Sequence, residues 1–238
     1  YMIPASIVLA GVLIAGAVIY SNQSGSPAGP RGGGAVTLEG GSGENVLDNI
    51  KPVSSDDHIR GNPSAAIRIV EYSDMECPFC KGFHNTLRRI VEEEYCKDGT
   101  VAWVYRHFPL DSLHSKARPE ALASECAGKL GGNRGFWNYL DRFFEVTPSN
   151  NQTDIDTVLP RIAKEIGLDE VSFRSCLSSG EYDAHVQDDL DNAIATGGNG
   201  TPWSIIVTAS GKKYPVSGGL PYATVKQLID LALKEEQS

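Results

Sequence analysis

Positive charge is in short supply in this sequence: 21 Lys and Arg stand against 30 Asp and Glu in 238 residues, a formal net charge of −9 at pH 7. Phosphate backbones are held by clustered cations, so a nucleic-acid ligand is excluded. Internal repeats are lacking as well. Cysteine is sparse: there are five, Cys77, Cys80, Cys96, Cys126 and Cys176, and only the first two stand at close spacing. Zinc held by Cys77 and Cys80 needs two further ligands at metal spacing. The remaining cysteines are scattered through other elements, so neither a metal site nor a cofactor is expected.

Charge is absent altogether from Ile3 to Tyr20, "IPASIVLAGVLIAGAVIY". As a helix this run reaches about 27 Å, close to the ~30 Å hydrocarbon core of a bilayer. Residues 1–20 are therefore expected to form a single-pass transmembrane helix, with a cleaved signal segment ending near Ala15-Gly16-Ala17 as the alternative. The apolar run continues through Val18-Ile19-Tyr20, which suits an anchor. Residues 21–45 are rich in Gly, Ser and Pro and poor in large apolar side chains. Such a composition buries too little surface to offset its ordering entropy and reads as a flexible linker. Residues 46–238 remain for one folded domain, placed outside the cytoplasm by the anchor, or secreted or periplasmic if the segment is cleaved.

Export permits disulfides. Cys126 in "ASECAGKLG" and Cys176 in "VSFRSCLSSG" both lie in helical-looking segments, and we pair them as a structural disulfide. Closing a loop of about fifty residues contributes about 4 kcal/mol in the chain-entropy model. Cys96 is left over.

Along the domain, "AAIRIVEYSD" carries apolar residues on both parities and reads as a strand buried on both faces. Phe79, Phe83, Leu87, Ile90 and Val91 follow at helical spacing. "TVAWVYRHFP" is a second strand after the Asp98-Gly99 turn, which completes a βαβ unit with a parallel pair. Residues from about 113 to 196 read as several helices. "GTPWSIIVTASGKKYPVSGG" then gives two short strands, and "PYATVKQLIDLALKEE" a last amphipathic helix.

The stretch "EYSDMECPFCKGFH" sets Cys77 and Cys80 at a strand-to-helix junction. Pro78 suits the first helical position, where a missing N–H costs little. Cys77 then falls at the N-cap, where free N–H groups and the macrodipole favour an anion. A thiolate is the nucleophile in disulfide exchange, so Cys77 is the attacking thiol and Cys80, one turn inside, its resolving partner. Lys81 favours the thiolate, while Asp74 and Glu76 oppose it. Glu71 shares parity with Ile67 and Ile69, which points its carboxylate inward, near the pair. His84, His107 and His114 read as packed or capping residues, and Trp203 as core.

The order βαβ, helical block, ββα, with C-P-F-C opening the first helix and Thr201-Pro202 ahead of the third core strand, resembles the DsbA-like thioredoxin-fold oxidoreductases. The phrases "VEYSDMECPFC", "YRHFPLDSLHSKA", "GFWNYLDRFFE" and "GNGTPW" resemble the membrane-anchored and secreted branch of that family. The likeness covers residues from about 57 to 236. It implies an α/β thioredoxin fold whose helical insertion lies at about 113–196. It implies a cis peptide at Pro202, with Thr201 and Pro202 receiving an extended substrate segment. At the position of Glu71 the family carries an acid that moves protons for the resolving cysteine. The dipeptide Pro78-Phe79 departs from the Pro-His of its strongest oxidases. The expected function is an extracytoplasmic thiol:disulfide oxidoreductase, most simply an oxidase that donates the Cys77–Cys80 disulfide to reduced exported proteins. A quinone-linked membrane partner of the DsbB or VKOR kind would regenerate it. A tethered reductase or isomerase is the alternative, and a binding module with an inert disulfide is the reading from another class. No dimerisation domain is visible, so a monomer is expected.

Overall fold

The computed structural model describes residues 45–95 and 97–236. The expected anchor, nearly all of the expected linker and Cys96 lie outside these residues. Among the described residues no helix is long and apolar enough to cross a membrane. Asn45, assigned to the linker on composition, instead caps a 3-10 turn, Val46–Asn49, its side chain accepting from the Leu47 N–H.

The sheet is built from β1 (His58–Gly61), β2 (Ile67–Ser73), β3 (Val101–His107), β4 (Trp203–Thr208) and β5 (Lys213–Ser217), in the spatial order β1-β3-β2-β4-β5. β2 and β3 run parallel, and the other pairs are antiparallel. β1 was not legible in the sequence. It has four residues at the sheet edge, none of them fully buried, and no alternation that distinguishes a strand from a loop. The helix α1 (Pro78–Arg89) connects the parallel pair, which gives the expected βαβ unit.

The helical block expected at 113–196 contains α2 (Ala117–Val146), α3 (Ile155–Glu165), α4 (Glu170–Ser179) and α5 (Asp183–Ala195). After it come β4, β5 and α6 (Tyr222–Glu236), the expected ββα half. The stretch Ala117–Val146 is two helical segments that meet at a kink at Gly132, in keeping with the several helices expected in this block. Gly132 sits at φ 64°, a backbone state that L side chains rarely adopt. Three residues on, Gly135 lets the Ala127 carbonyl approach to where a Cβ would stand 2.5 Å away. Gly132 therefore separates the two helical segments, and Gly135 lets them approach closely at the joint.

β2 is buried on both faces, as its doubly apolar pattern predicts. One face carries Ile67, Ile69, Val101, Trp103 and Ile206 against Phe83 and Leu87 of α1, Val225 and Ile229 of α6, and the aromatic side of α2. The other carries Val70, Tyr72, Val104 and Ile205 against Leu47, Phe108, Ala193 and Trp203. Trp203 is thus core, its Nε1 donating to Thr196 Oγ1 at 3.1 Å. Each large apolar side chain buried this way contributes about 1.5–3 kcal/mol. This two-sided packing holds the C-terminal end of β2, and the loop beyond it, in place.

Candidate active site

That loop delivers Cys77 to the N-cap of α1 in an extended conformation (φ −76°, ψ 123°), with Pro78 as first helical residue. The Cys77 carbonyl accepts the Lys81 N–H at 3.1 Å and starts the helix. Cys77 and Cys80 are both free thiols here. Cys77 is 4 % exposed and Cys80 fully buried, so a partner reaches only the first. Phe79, between them, is 70 % exposed and flanks the approach.

The two thiols are driven apart in acidity. Cys77 is lowered to about 6, chiefly by the Cys80 thiol donating to its sulfur, against the cost of burial. Backbone N–H groups of Cys80 and Phe79 at the helix start add to it. Cys80 is pushed well above the usual thiol range by burial and by the neighbouring Cys77. The negative charge therefore resides on Cys77. Across the site, the Thr201–Pro202 peptide is cis. When Cys77 is protonated its Sγ donates to the Thr201 carbonyl at 3.5 Å, so the sequence-distant Thr201 and Pro202 meet the C-x-x-C pair.

The expected charge pattern around the thiolate is different in detail. Lys81 turns away, its Nζ donating to the Thr147 carbonyl at 2.6 Å. Asp74 is a loop organiser: Oδ1 accepts from Glu76 N–H, and Oδ2 from Leu110 N–H and His114 Nδ1, at 2.8–2.9 Å. Glu76 is gripped by consecutive left-handed residues, Asn150 and Asn151, both at φ 62°. The Asn150 N–H donates to its carbonyl and the Asn151 N–H to its carboxylate. Behind it, Glu120 of α2 is fully buried, its pKa raised to about 10 by burial and by the neighbouring Glu76 carboxyl.

Glu71 points inward as its parity predicted and is fully buried. Trp103 Nε1 donates to its Oε2 at 2.8 Å. Burial raises its pKa to about 8, and the charge of Cys77 adds to the rise, so the carboxyl is protonated at neutral pH. The ladders set Tyr105 and Ser204 beside Glu71 on either side. Sequence reasoning missed Trp103, Tyr105 and Ser204 as neighbours of the site, because they follow from cross-strand register, and it passed over Ser73, which shares the parity of Glu71 two residues along the same strand. His84 bonds to Asp141, His107 to Glu125 and His114 to Asp74, so each has a carboxylate partner.

Cys126 and Cys176 form a disulfide between α2 and α4, within the insertion. Among the described residues, the one group of three close metal-ligating atoms comprises these sulfurs and Glu181, and the sulfurs are bonded to each other.

A family model described as Thioredoxin matches residues 54–230. Among solved structures, DsbA2 of Pseudomonas aeruginosa is 30% identical, with a TM-score of 0.65 over 76% of this chain and 96% of that one. Oxidised BdbD of Bacillus subtilis, at 22% identity, shares the fold, with a TM-score of 0.67 over 78% and 97% of the two chains. Among curated proteins, "Na(+)/H(+) antiporter NhaA 3" of Salinispora tropica is 31% identical over 163 residues, 68% of this chain but 23% of that protein. The chain thus spans about a quarter of the length of the curated relatives it matches.

Proposed function

The chain belongs to the thioredoxin family, in its DsbA-like branch, and from that premise we propose that it is an oxidase donating the Cys77–Cys80 disulfide to reduced, exported proteins. The observation that carries this reading is the split between the two thiols, a Cys77 near 6 above a Cys80 that stays protonated. At pH 7, moving a thiol from 9 to about 6 stabilises the reduced enzyme by about 1.4 kcal/mol, or about 30 mV for this two-electron couple. Disulfide donation gains by that amount.

In the proposed reaction a substrate thiolate attacks Cys77 Sγ. The Cys77–Cys80 bond breaks, its electron pair moves to Cys80, and Cys80 takes up a proton. A second substrate thiolate then attacks the substrate sulfur of the mixed disulfide and releases Cys77 as thiolate. Protonated Glu71 is the internal acid for Cys80. Thr201 and Pro202, beside Cys77 Sγ, receive the extended substrate segment by strand addition. The exposed Phe79 lies at the edge of that approach. The domain acts outside the cytoplasm, tethered by residues 1–20, as a monomer. A DsbB-like or VKOR-like quinone-linked membrane protein reoxidises it.

One observation favours a reductase or isomerase: a nucleophile near 6 is closer to the value of about 7 in thioredoxin than to the ~3.5 of DsbA. The deciding experiment mixes the oxidised chain with a reduced peptide dithiol. The oxidase reading expects one peptide disulfide per chain, and none from Cys77→Ser. If the peptide stays reduced while the dithiol-reduced chain cleaves insulin disulfides, the protein is a reductase.

A further inference from the structure

Four buried polar atoms gather on the sheet face that α1 covers, and none has a hydrogen-bond partner: Glu71 Oε1, Ser73 Oγ, Tyr105 OH and Ser204 Oγ. Their residues are at most 2 % exposed. Alternation along β2 puts Glu71 and Ser73 on that face, and the register puts Tyr105 and Ser204 beside Glu71. Cys80, fully buried, belongs to the core cluster that covers the same face. Such clustering is unusual, because buried polar groups are nearly always paired. Here the unpaired groups are a carboxyl and three hydroxyls, which are able both to give and to take a proton.

Ser73 stands at the centre of the group. Burial pushes Glu71, Cys80 and Tyr105 up, and the neighbouring Ser73 hydroxyl opposes that rise in all three, although at rest it makes no hydrogen bond to any of them. Tyr105 in turn feels the charge of both Glu71 and Cys80. The Glu71 oxygen held by Trp103 is Oε2, so Oε1 is the oxygen left to exchange a proton.

We propose that the Ser73 hydroxyl, backed by Tyr105, relays the proton from the Glu71 carboxyl to Cys80 Sγ. The inference rests on the oxidoreductase reading and adds residues to it that the C-x-x-C motif does not announce. When the Cys77–Cys80 bond breaks, the electron pair lands on Cys80 Sγ as a thiolate. Ser73 gives its hydroxyl proton to that sulfur and takes the proton of Glu71, so the hydroxyl is restored. The negative charge passes to the Glu71 carboxylate, where the Trp103 N–H remains as its donor. Tyr105 is a positioning residue that holds the hydroxyl and carboxyl in line.

The test is rapid mixing of the oxidised full chain with a reduced peptide dithiol between pH 5 and 9, comparing wild type, Ser73→Ala, Ser73→Thr and Tyr105→Phe. The relay predicts at least about a tenfold slower bond-breaking step in Ser73→Ala, with an altered pH profile. It predicts recovery in Ser73→Thr, which keeps the hydroxyl, and a smaller loss in Tyr105→Phe. The Cys77 thiolate absorbance titration of the reduced chains should stay where it is. Rates and profiles within twofold of wild type in Ser73→Ala and Tyr105→Phe would overturn the relay. So would equal losses in Ser73→Ala and Ser73→Thr, which signify packing. If Ser73→Ala does not fold, the infrared titration of the Glu71 carboxyl in Tyr105→Phe decides: a displaced midpoint supports the relay and an unchanged one overturns it. Absence of any Cys77-dependent exchange in wild type would instead overturn the oxidoreductase reading, and the relay with it.

Discussion

Trp103 Nε1 donates a 2.8 Å hydrogen bond to Glu71 Oε2 across the parallel pair of central strands, deep beneath Cys80. One donor on a fully buried carboxyl does not replace water. The group therefore keeps its proton to about 8 rather than 4.5. That fact has a consequence for stability. The folded state holds a proton that the unfolded chain releases, so the contribution of Glu71 is fully present below about pH 4.5 and is lost as pH rises toward 8. Glu71→Gln removes the titration and keeps an acceptor for Trp103. Its advantage over wild type should be near zero at pH 4 and reach about 3 kcal/mol by pH 7. Denaturant melts across that range check this, and a pH-independent difference would contradict it.

Alkylation separates the two thiols. Cys77 in the reduced chain should react with iodoacetamide with a midpoint near pH 6. Cys80 should stay unmodified below about pH 9, being buried and held protonated. Mass spectrometry of the labelled cysteines reads both at once. Equal labelling at pH 7 would show that the asymmetry is absent.

The Glu76–Glu120 pair offers a second pH signature, on the other side of Cys77. Glu120 keeps its proton to about 10, so its contribution, like that of Glu71, is lost as pH rises from about 4.5. Glu120→Gln should match wild type in stability near pH 4 and exceed it by a few kcal/mol at pH 8. Exchange that depends on Cys77 should persist.

The disulfide in the insertion should act on stability alone. It joins residues 50 apart, for which the chain-entropy model gives about 4 kcal/mol. Replacing Cys126 and Cys176 together by Ala should lower stability by about 2–4 kcal/mol. Thermal melts measure that loss, and a retained Cys77-dependent exchange rate marks the bridge as structural.

What the sequence reveals of this site is what local chemistry decides. Cys77 as N-cap, Pro78 as first helical residue and the inward parity of Glu71 all follow from neighbours within a turn or a strand, and each appears where its spacing put it. The companions of Glu71 depend on pairing between segments far apart in the chain. Ser204 reaches its place only because β4 lies against β2 in one register, and nothing within "TPWSIIV" reports that register. Lys81 shows the limit from the other side. Its charge is local to the thiols, but a long side chain goes where an acceptor waits, here the Thr147 carbonyl. β1 was invisible for want of length, being held by its partner strand β3 and not by its own pattern.

The measurement that bears most directly on the central claim is the reduction potential of the Cys77–Cys80 pair in a glutathione redox series, with Cys77→Ser as control. Thioredoxin lies at about −270 mV and DsbA at about −120 mV. A Cys77 acidity between theirs predicts a value between about −230 and −150 mV, a range that runs from the glutaredoxins past protein disulfide isomerase. A value at or below about −270 mV would contradict disulfide donation and make the chain a reductase.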